Sequence, residues 1–390
     1  MSNKTMSHKT FHYRIYPTKK QETTLTHWLQ LLCETYNAAL QERRDAYRMA
    51  GKSIGFSHQC AELPECRHMR PDLAEVPSQV LQDAVKRVDL AFDRFFQRCA
   101  SGEKPGYPRY KSRVRYDSMT FKQYGNSFDV AASAQKNRGT LVLAKLGQVK
   151  MVMHRPLAGT PKTAIVKRTP TGKWFVSISC EDVPKGNVPQ SDKEVGIDVG
   201  LKTFAYLSDG TSLENPRFFR QEEKNLAKAQ RKRDKAPKQS QERKKLKKRV
   251  ARVHERTKHR RKNFAHQHSR KIVNTCNLIA VEALIVRNMV KNPKLSASIA
   301  DAAWSQFFAF LCSKAEEAGR TVVKVNPAYT SQRCSCCGHV QEMPLSVRIY
   351  ECPNCGLVID RDHNGSKNIL DEGLKAVGRH SRVIPEAPGL

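Results

Sequence analysis

Apolar and polar positions alternate through Phe11, Tyr13 and Ile15, a period-two pattern that predicts a strand ending at Pro17. The period then changes. Thr18 and Gln21 form a capping box, and Leu25, Trp28, Leu29, Leu32, Tyr36 and Leu40 recur at helical spacing as far as Gly51. A second amphipathic helix is expected from about Pro77 to Cys99, with Leu81, Ala84, Val85, Val88, Phe92 and Phe95 on one face. Both stripes read as core. From about Tyr116 the pattern turns to strands at Leu141–Leu143 and Val149–Met153. Two more, Thr163–Arg168 and Trp174–Cys180, flank Thr169-Pro170-Thr171-Gly172-Lys173, which has the composition of a hairpin loop. The first strand is expected to join this sheet, leaving the helices of 18–110 as an insertion into a small barrel.

A polar, proline-containing linker, Asn187–Lys193, precedes strands at 195–199 and 203–208. A basic segment split by Pro237 follows. Its second half keeps near-heptad spacing through Leu246, Val250, Val253, Thr257, Phe264 and Ile272, which predicts the long helix of a hairpin. An apolar strand at 278–282, a helix over Ile299–Ala318 and a strand at Thr321–Val325 complete the pattern. Strand, strand, helix, strand, helix, strand is the order of an α/β domain of RNase H type. The fold class expected is therefore α+β and multidomain, with a loose tail from about Val377.

Charge changes the picture. The 390 residues carry +32, and Gln221–Lys271 holds 21 Lys or Arg against 5 acidic residues, which is half of that excess. A stripe of this kind binds a phosphate backbone by releasing counterions, although a solvated helical hairpin would look the same. An anionic membrane is the competing partner. There is no run of 18 apolar residues, and Met1–Arg14 lacks a signal-peptide core, so no membrane partner is expected. Of twelve cysteines, five crowd into Cys334–Cys355 and the rest are scattered, which reads as reduced thiols in a cytoplasmic protein.

The candidate chemistry lies in carboxylates and cysteines. Asp198 interrupts Val195-Gly196-Ile197-Asp198-Val199, Glu282 interrupts Leu278–Leu284, and Asp362 follows the last cysteines in Asp360-Arg361-Asp362-His363-Asn364. A carboxylate in an apolar strand is costly to desolvate unless a cation meets it, and three together make a hard oxygen site for Mg²⁺. Singly, Asp198 could stabilise a turn before Gly200, and Asp362 could cap a helix over Asn364–Leu370. Cys334-Ser335-Cys336-Cys337-Gly338 and Cys352-Pro353-Asn354-Cys355-Gly356, separated by 14 residues, offer four thiolates to one structural Zn²⁺. Cys336 could replace a ligand, while the glycine after Cys337, matching that after Cys355, favours Cys337.

These residues resemble the TnpB (OrfB-type) proteins of bacterial insertion sequences, relatives of the type V CRISPR effectors. The likeness runs from Phe11-His12-Tyr13-Arg14-Ile15-Tyr16-Pro17 through Gly106-Tyr107-Pro108-Arg109-Tyr110, Gly196-Ile197-Asp198-Val199-Gly200, Val281-Glu282 and Asn326–Gln332 to Asp360–Asn364, with Gly365-Ser366 keeping the usual small pair. The resemblance implies a wedge-type β-barrel (1–16 and 112–186) with a helical recognition insertion (17–111). It further implies a RuvC domain (194–330 and 357–375, including the basic hairpin 221–275), an inserted zinc ribbon (331–356) and a tail (376–390). It implies RNA-guided cleavage of double-stranded DNA, with a guide from the transposon end, two Mg²⁺ at Asp198, Glu282 and Asp362, and zinc at Cys334, Cys337, Cys352 and Cys355. Asp360 and Asn364 are supporting candidates, and a monomer is expected.

Candidate nucleic-acid contacts are Tyr107, Arg109, Tyr110 and Lys111, which mix rings with charge, and Arg243, Lys244, Lys247 and Lys248 of the basic run. Gln79 and Gln82 could read adenine in a duplex beside the target. Two rival readings stay open: a binding protein of this fold without cleavage, acting as a repressor, and a strand-transfer transposase.

Overall fold

The alternation at Phe11, Tyr13 and Ile15 buries these three side chains of β1 (Met6–Tyr16) on one face. The computed structural model describes residues 6–184, 188–344 and 346–379, without the side chains of Met6 and Ser7, and divides into two compact units at Pro184/Lys185. The expected tail lies mostly outside the described residues.

In the first unit β1 is central, antiparallel to both of its neighbours. After it come α1 (Lys19–Ala50), α2 (Phe56–Met69), a 3₁₀ turn (Pro71–Glu75) and α3 (Ser78–Ala100). Six strands follow: β2 (Ser118–Phe121), β3 (Phe128–Ala132), β4 (Arg138–Leu143), β5 (Gly147–Val152), β6 (Thr160–Arg168) and β7 (Trp174–Pro184). The sheet order is β2-β6-β7-β1-β5-β4-β3. It is a curled half-barrel, since β2 and β3 do not pair, where a small barrel was expected. Helix α3 lies against β2 instead, with Arg87 donating to Ser118 O (2.9 Å) and Thr120 Oγ1 (3.1 Å).

Helix α1 opens on the Thr18/Gln21 capping box and closes at Gly51, whose φ of 63° is the left-handed cap. The sequence pattern missed α2, which buries only Gln59 and Leu63 and contains Pro64. A polar bracket holds it. Gln59 donates to Ala39 O (2.9 Å) and Glu42 (2.6 Å) and accepts from Arg43 Nε (2.8 Å), and Arg43 reaches Asp89 of α3 at 3.1 Å. Phe92 and Phe95, expected in the core, are only partly buried. They meet Tyr107 edge-on at 5.7 and 5.4 Å, beside an exposed Phe96.

The second unit begins with β8 (Glu194–Val199), β9 (Thr203–Leu207) and β10 (Ser212–Glu214), an antiparallel series. The basic hairpin is α4 (Phe218–Lys235) and α5 (Gln241–Thr275), packed through Leu226, Ala229 and Val250. Then come β11 (Leu278–Glu282), α6 (Val286–Met289), α7 (Ser296–Ala302), α8 (Trp304–Ala318), β12 (Thr321–Val325), the hairpin strands β13 (Ile349–Glu351) and β14 (Val358–Asp360), and α9 (Arg361–Ala376). The main sheet runs β10-β9-β8-β11-β12, with β8, β11 and β12 parallel. Among the described residues no helix is long and apolar enough to cross a membrane.

The single helix expected over Ile299–Ala318 is broken at Ala303, which has φ 56°. The break follows Asp301, which reaches outside its own helix. Its carboxylate accepts the Phe219 N–H in the first turn of α4 at 2.9 Å and takes Arg261 Nε and Nη2 at 2.9 and 2.7 Å. Removing one partner of so buried a pair leaves the other unsatisfied. Asp301→Ala is expected to cost about 3 kcal/mol in urea denaturation of the full chain. Asp301→Asn, which keeps an acceptor for Phe219, should lose less.

Candidate active site

The apolar residues Val195 and Ile197 bury β8 and deliver Asp198 to its end. Beside it, β11 runs parallel with Val281 opposite Ile197, so Glu282 lies next to Asp198 along the same sheet edge. Helix α9 lies across both strands. It can do so because three positions have no side chain, one of them Gly373, where a Cβ would fall 2.4 Å from that of Ala280. A Cβ on Gly196 would fall 2.1 Å from Ser366 O, and one on Gly365 would fall 2.8 Å from Asp198 Oδ2. That approach sets Asp362, a turn upstream of Ser366, beside the other two carboxylates.

Asp362 does not cap its helix. Asp360 does, accepting the N–H groups of Asp362 (2.8 Å) and His363 (3.2 Å), so α9 starts three residues before the expected Asn364. His363 stacks on Tyr206 of β9 with centroids 5.1 Å apart, and its Nε2 is 3.3 Å from Ser208 O. Tyr206 is itself the β9 partner of Asp198.

The electrostatics are those of carboxylates short of countercharge. Burial, then the neighbouring Glu282 and Asp362, pushes Asp198 well above the usual carboxylate range. Burial raises Glu282 as well, opposed by the Thr330 hydroxyl, which donates to it at 2.7 Å. Asp362 is raised by burial and by Asp360, against the pull of Arg348, 3.7 Å away, and of Arg361 and Lys202. Their oxygens are not all within 4.8 Å of one another, unlike the ligand atoms of two other groups among the described residues: the four cysteines, and Glu42, His58 and Glu62. An all-oxygen set, partly desolvated and mutually repelling, fits a hard divalent ion.

The four thiols come from two matching turns. Cys334 N–H donates to His339 O and Gly338 N–H to Cys334 O; Cys352 N–H donates to Leu357 O and Gly356 N–H to Cys352 O. Gly338 and Gly356 take φ of 77° and 72°, which explains the glycine after each pair. Sulfur separations are 3.6 Å for Cys334–Cys355 and 3.5 Å for Cys337–Cys352. Tetrahedral zinc with Zn–S near 2.3 Å needs about 3.8 Å, so the set fits. Cys336 is exposed and lies outside the group. The Asn354 side chain brings the Cys337 thiol down to about 6, while burial pushes Cys334 up to about 12.

Asn364, a supporting candidate from the sequence, joins this lobe to the carboxylates together with Asn368 and Arg361, which the sequence did not single out. Asn364, fully buried, accepts from Ser335 N (2.9 Å) and donates to Arg333 O (2.7 Å). One turn later Asn368 donates to Thr330 O (2.8 Å) and Arg333 O (2.6 Å). Arg361, also buried, donates to Pro344 O at 2.9 Å and Ser331 Oγ at 3.3 Å. Two asparagines four apart, and so on one face of α9, were the available signal.

The expected nucleic-acid contacts divide. Arg109, Gln82, Lys244, Lys247 and Lys248 are exposed. Lys111 is turned inward, its ammonium 4.2 Å from the Tyr36 ring centroid and 5.4 Å from that of Tyr116, and burial lowers its pKa. Tyr110 donates to Gln41, and Gln79 donates to Gln123. Arg243 donates to the carbonyls of Arg233 (3.0 Å), Asp234 (3.3 Å) and Ala236 (2.7 Å), closing the hairpin turn. These four are occupied within the chain.

Known proteins share this architecture. A Cas12f1 chain, solved by cryo-EM as a Cas12f1-sgRNA-target DNA complex, superposes with a TM-score of 0.60 at 15% identity, covering 94% of this chain and 99% of that one. The fold is thus the mixed α/β fold of the Cas12 effectors. Residues 177–293 match a family described as "Probable transposase" (OrfB of IS605), residues 304–369 a Cas12f1-like TNB domain, and residues 6–52 a helix-turn-helix domain. In the structure that last stretch is β1 and the unbroken helix α1. A "Putative RNA-guided DNA endonuclease" of Streptomyces pristinaespiralis is 36% identical over 97% of this chain and 92% of its own length. InsQ of Escherichia coli K12, named likewise, is 29% identical over 93% and 92%. The chain belongs to the TnpB (OrfB-type) family.

Two outcomes follow from the site. Purified protein should carry one zinc per chain by metal analysis, lost in Cys337→Ser and kept in Cys336→Ser. For the carboxylates, a raised folded-state pKa means that folding takes up protons. Their contribution to stability therefore increases as pH falls through the folded values and levels off below the ordinary carboxylate range. Without divalent ions at pH 7, Asp198→Asn should unfold at higher urea than the parent; Mg²⁺ should narrow that gap by stabilising the parent.

Proposed function

We propose that this protein is a metal-dependent, RNA-guided DNA endonuclease, with Asp198, Glu282 and Asp362 as its catalytic carboxylates. The observation that carries the reading is the convergence of these three from β8, β11 and α9 in a chain of this family. The five-stranded sheet order supports an RNase H-like (RuvC) nuclease domain. The half-barrel corresponds to the wedge lobe, α1–α3 to the recognition insertion and the paired cysteine turns to a zinc ribbon.

Magnesium held by the three carboxylates would supply Lewis acidity at the scissile phosphate and lower the pKa of the attacking water. The chain's own groups prepare that site. Thr330 fixes the orientation of Glu282, Asp360 takes the helix cap and so frees Asp362, and Gly365 lets the Asp198 carboxylate sit against the helix backbone. The zinc turns offer four thiols and no open position, so their role is structural. Sequence selection falls to pairing between a guide RNA and the target strand, with exposed lysines such as Lys244, Lys247 and Lys248 holding the backbone. The expected setting is cytoplasmic.

The test uses protein purified with its co-expressed RNA. The RNA is sequenced, and matched DNA is assayed in Mg²⁺. Guide-dependent breaks are expected, reduced at least about 10³-fold in Asp198→Ala while target binding persists. Tight binding without cutting in the parent would favour a repressor, and joined DNA ends a strand-transfer enzyme.

A further inference from the structure

The turn that carries the chain from Asp198 into β9 opens on two adjoining cavities, of about 710 and 540 Å³. Lys202, Asn215, Arg217 and Arg220 line both. The carboxylates set against these cations are Glu214 in the larger cavity and Asp301 in the smaller, and Asp301 is already taken by Arg261 and the Phe219 N–H. Arg220 makes one exposed pair with Glu223 at 3.3 Å. The side chains of Lys202 and Arg217 have no hydrogen bond or ion pair among the described residues.

Arg217 is also strained. Its φ of 46° and ψ of 49° are left-handed, a conformation that a side chain resists. Asn215 holds it there, accepting the Arg217 N–H at 3.2 Å while its own amide is tied to Leu201 O at 2.8 Å. Backbone strain kept at a cation in a cleft is the pattern of a site built to meet something. The cleft borders the acidic trio. A Cβ at Gly200 would lie 3.8 Å from Asp362 Oδ2, and the Lys202 charge acts on the same carboxyl.

We propose that Lys202, Arg217 and Arg220 form a phosphate-binding cleft that seats the backbone of the DNA strand beside the bond to be cut. The inference rests on the endonuclease reading and deepens it. DNA is preferred to the guide because cleft and trio share the Gly200–Thr203 turn, so whatever occupies one continues into the other. The lysine offers a point charge; the arginines can grip a phosphate with two donors each.

The experiment takes the guide-loaded full chain at saturating concentration and follows single-turnover cleavage of a matched target. Lys202→Gln and Arg217→Asn are the variants, asparagine being tolerant of the left-handed backbone. Each should slow cleavage about tenfold, the loss of one charge-assisted contact, with target affinity unchanged. Arg217→Lys should recover part of the rate. Unchanged rates in both variants overturn the cleft. Rate and target affinity falling together also overturn it, since the residues would then hold the paired duplex. If the parent complex cuts nothing, the endonuclease reading fails and the cleft is judged by binding alone. Anisotropy of a labelled DNA oligonucleotide across a salt series should then show a slope shallower by about 1.4 in the double variant, for two lost phosphate contacts. An unchanged slope overturns it.

Discussion

Everything at the candidate site depends on how closely the backbone of α9 approaches the sheet. At Gly196, and at Gly373 against Ala280, helix and strand approach by less than a side chain's width, and at Gly365 the Asp198 carboxylate takes the space a Cβ would need. Packing the helix and assembling the acidic trio are therefore a single event. The trio does not contribute to that packing; its charges oppose it. Favourable terms come from apolar contacts behind it, where Ile369 packs with Ala280 and Val325 and where Val195, Ile197, Ile279 and Val281 form the sheet core.

Much of this was legible in the chain, for physical reasons that differ by element. Strands β8, β9 and β11 were readable because their buried runs are short, apolar and bounded, β12 because it is rich in valine, and α1 because its stripe and both caps agree. The cysteine pairs were readable because ligand spacing is local. What escaped notice was held by polar side chains. Helix α2 has no apolar period, since Gln59 does the work a leucine would do elsewhere, and Pro64 reads as a breaker. The interruption at Ala303 was hidden because Asp301 serves a helix eighty residues earlier. The half-barrel's open side could not be foreseen because it depends on α3 lying against β2. Of the site, the three carboxylates and four thiols were visible, but Thr330 and Asn368 matter only through partners distant in sequence.

The excess positive charge is likewise not one population. Arg243 closes a turn, Lys111 sits between tyrosine rings, and Lys314, held by His266 O and Ser269 Oγ between α5 and α8, is buried enough for its pKa to fall to about 8. Those cations are spent on the fold. The remainder, exposed along α5 and around Lys202, carries the electrostatic field that a polyanion would meet.

Asp198, Glu282 and Asp362 are separated by 84 and then 80 residues. On a ribosome they emerge in that order, the last of them behind both cysteine turns. A polypeptide that ends before residue 361 can thus contain the whole basic hairpin while the candidate site still lacks one wall. The order of the segments leaves the acidic trio incomplete until translation has passed the paired cysteine turns.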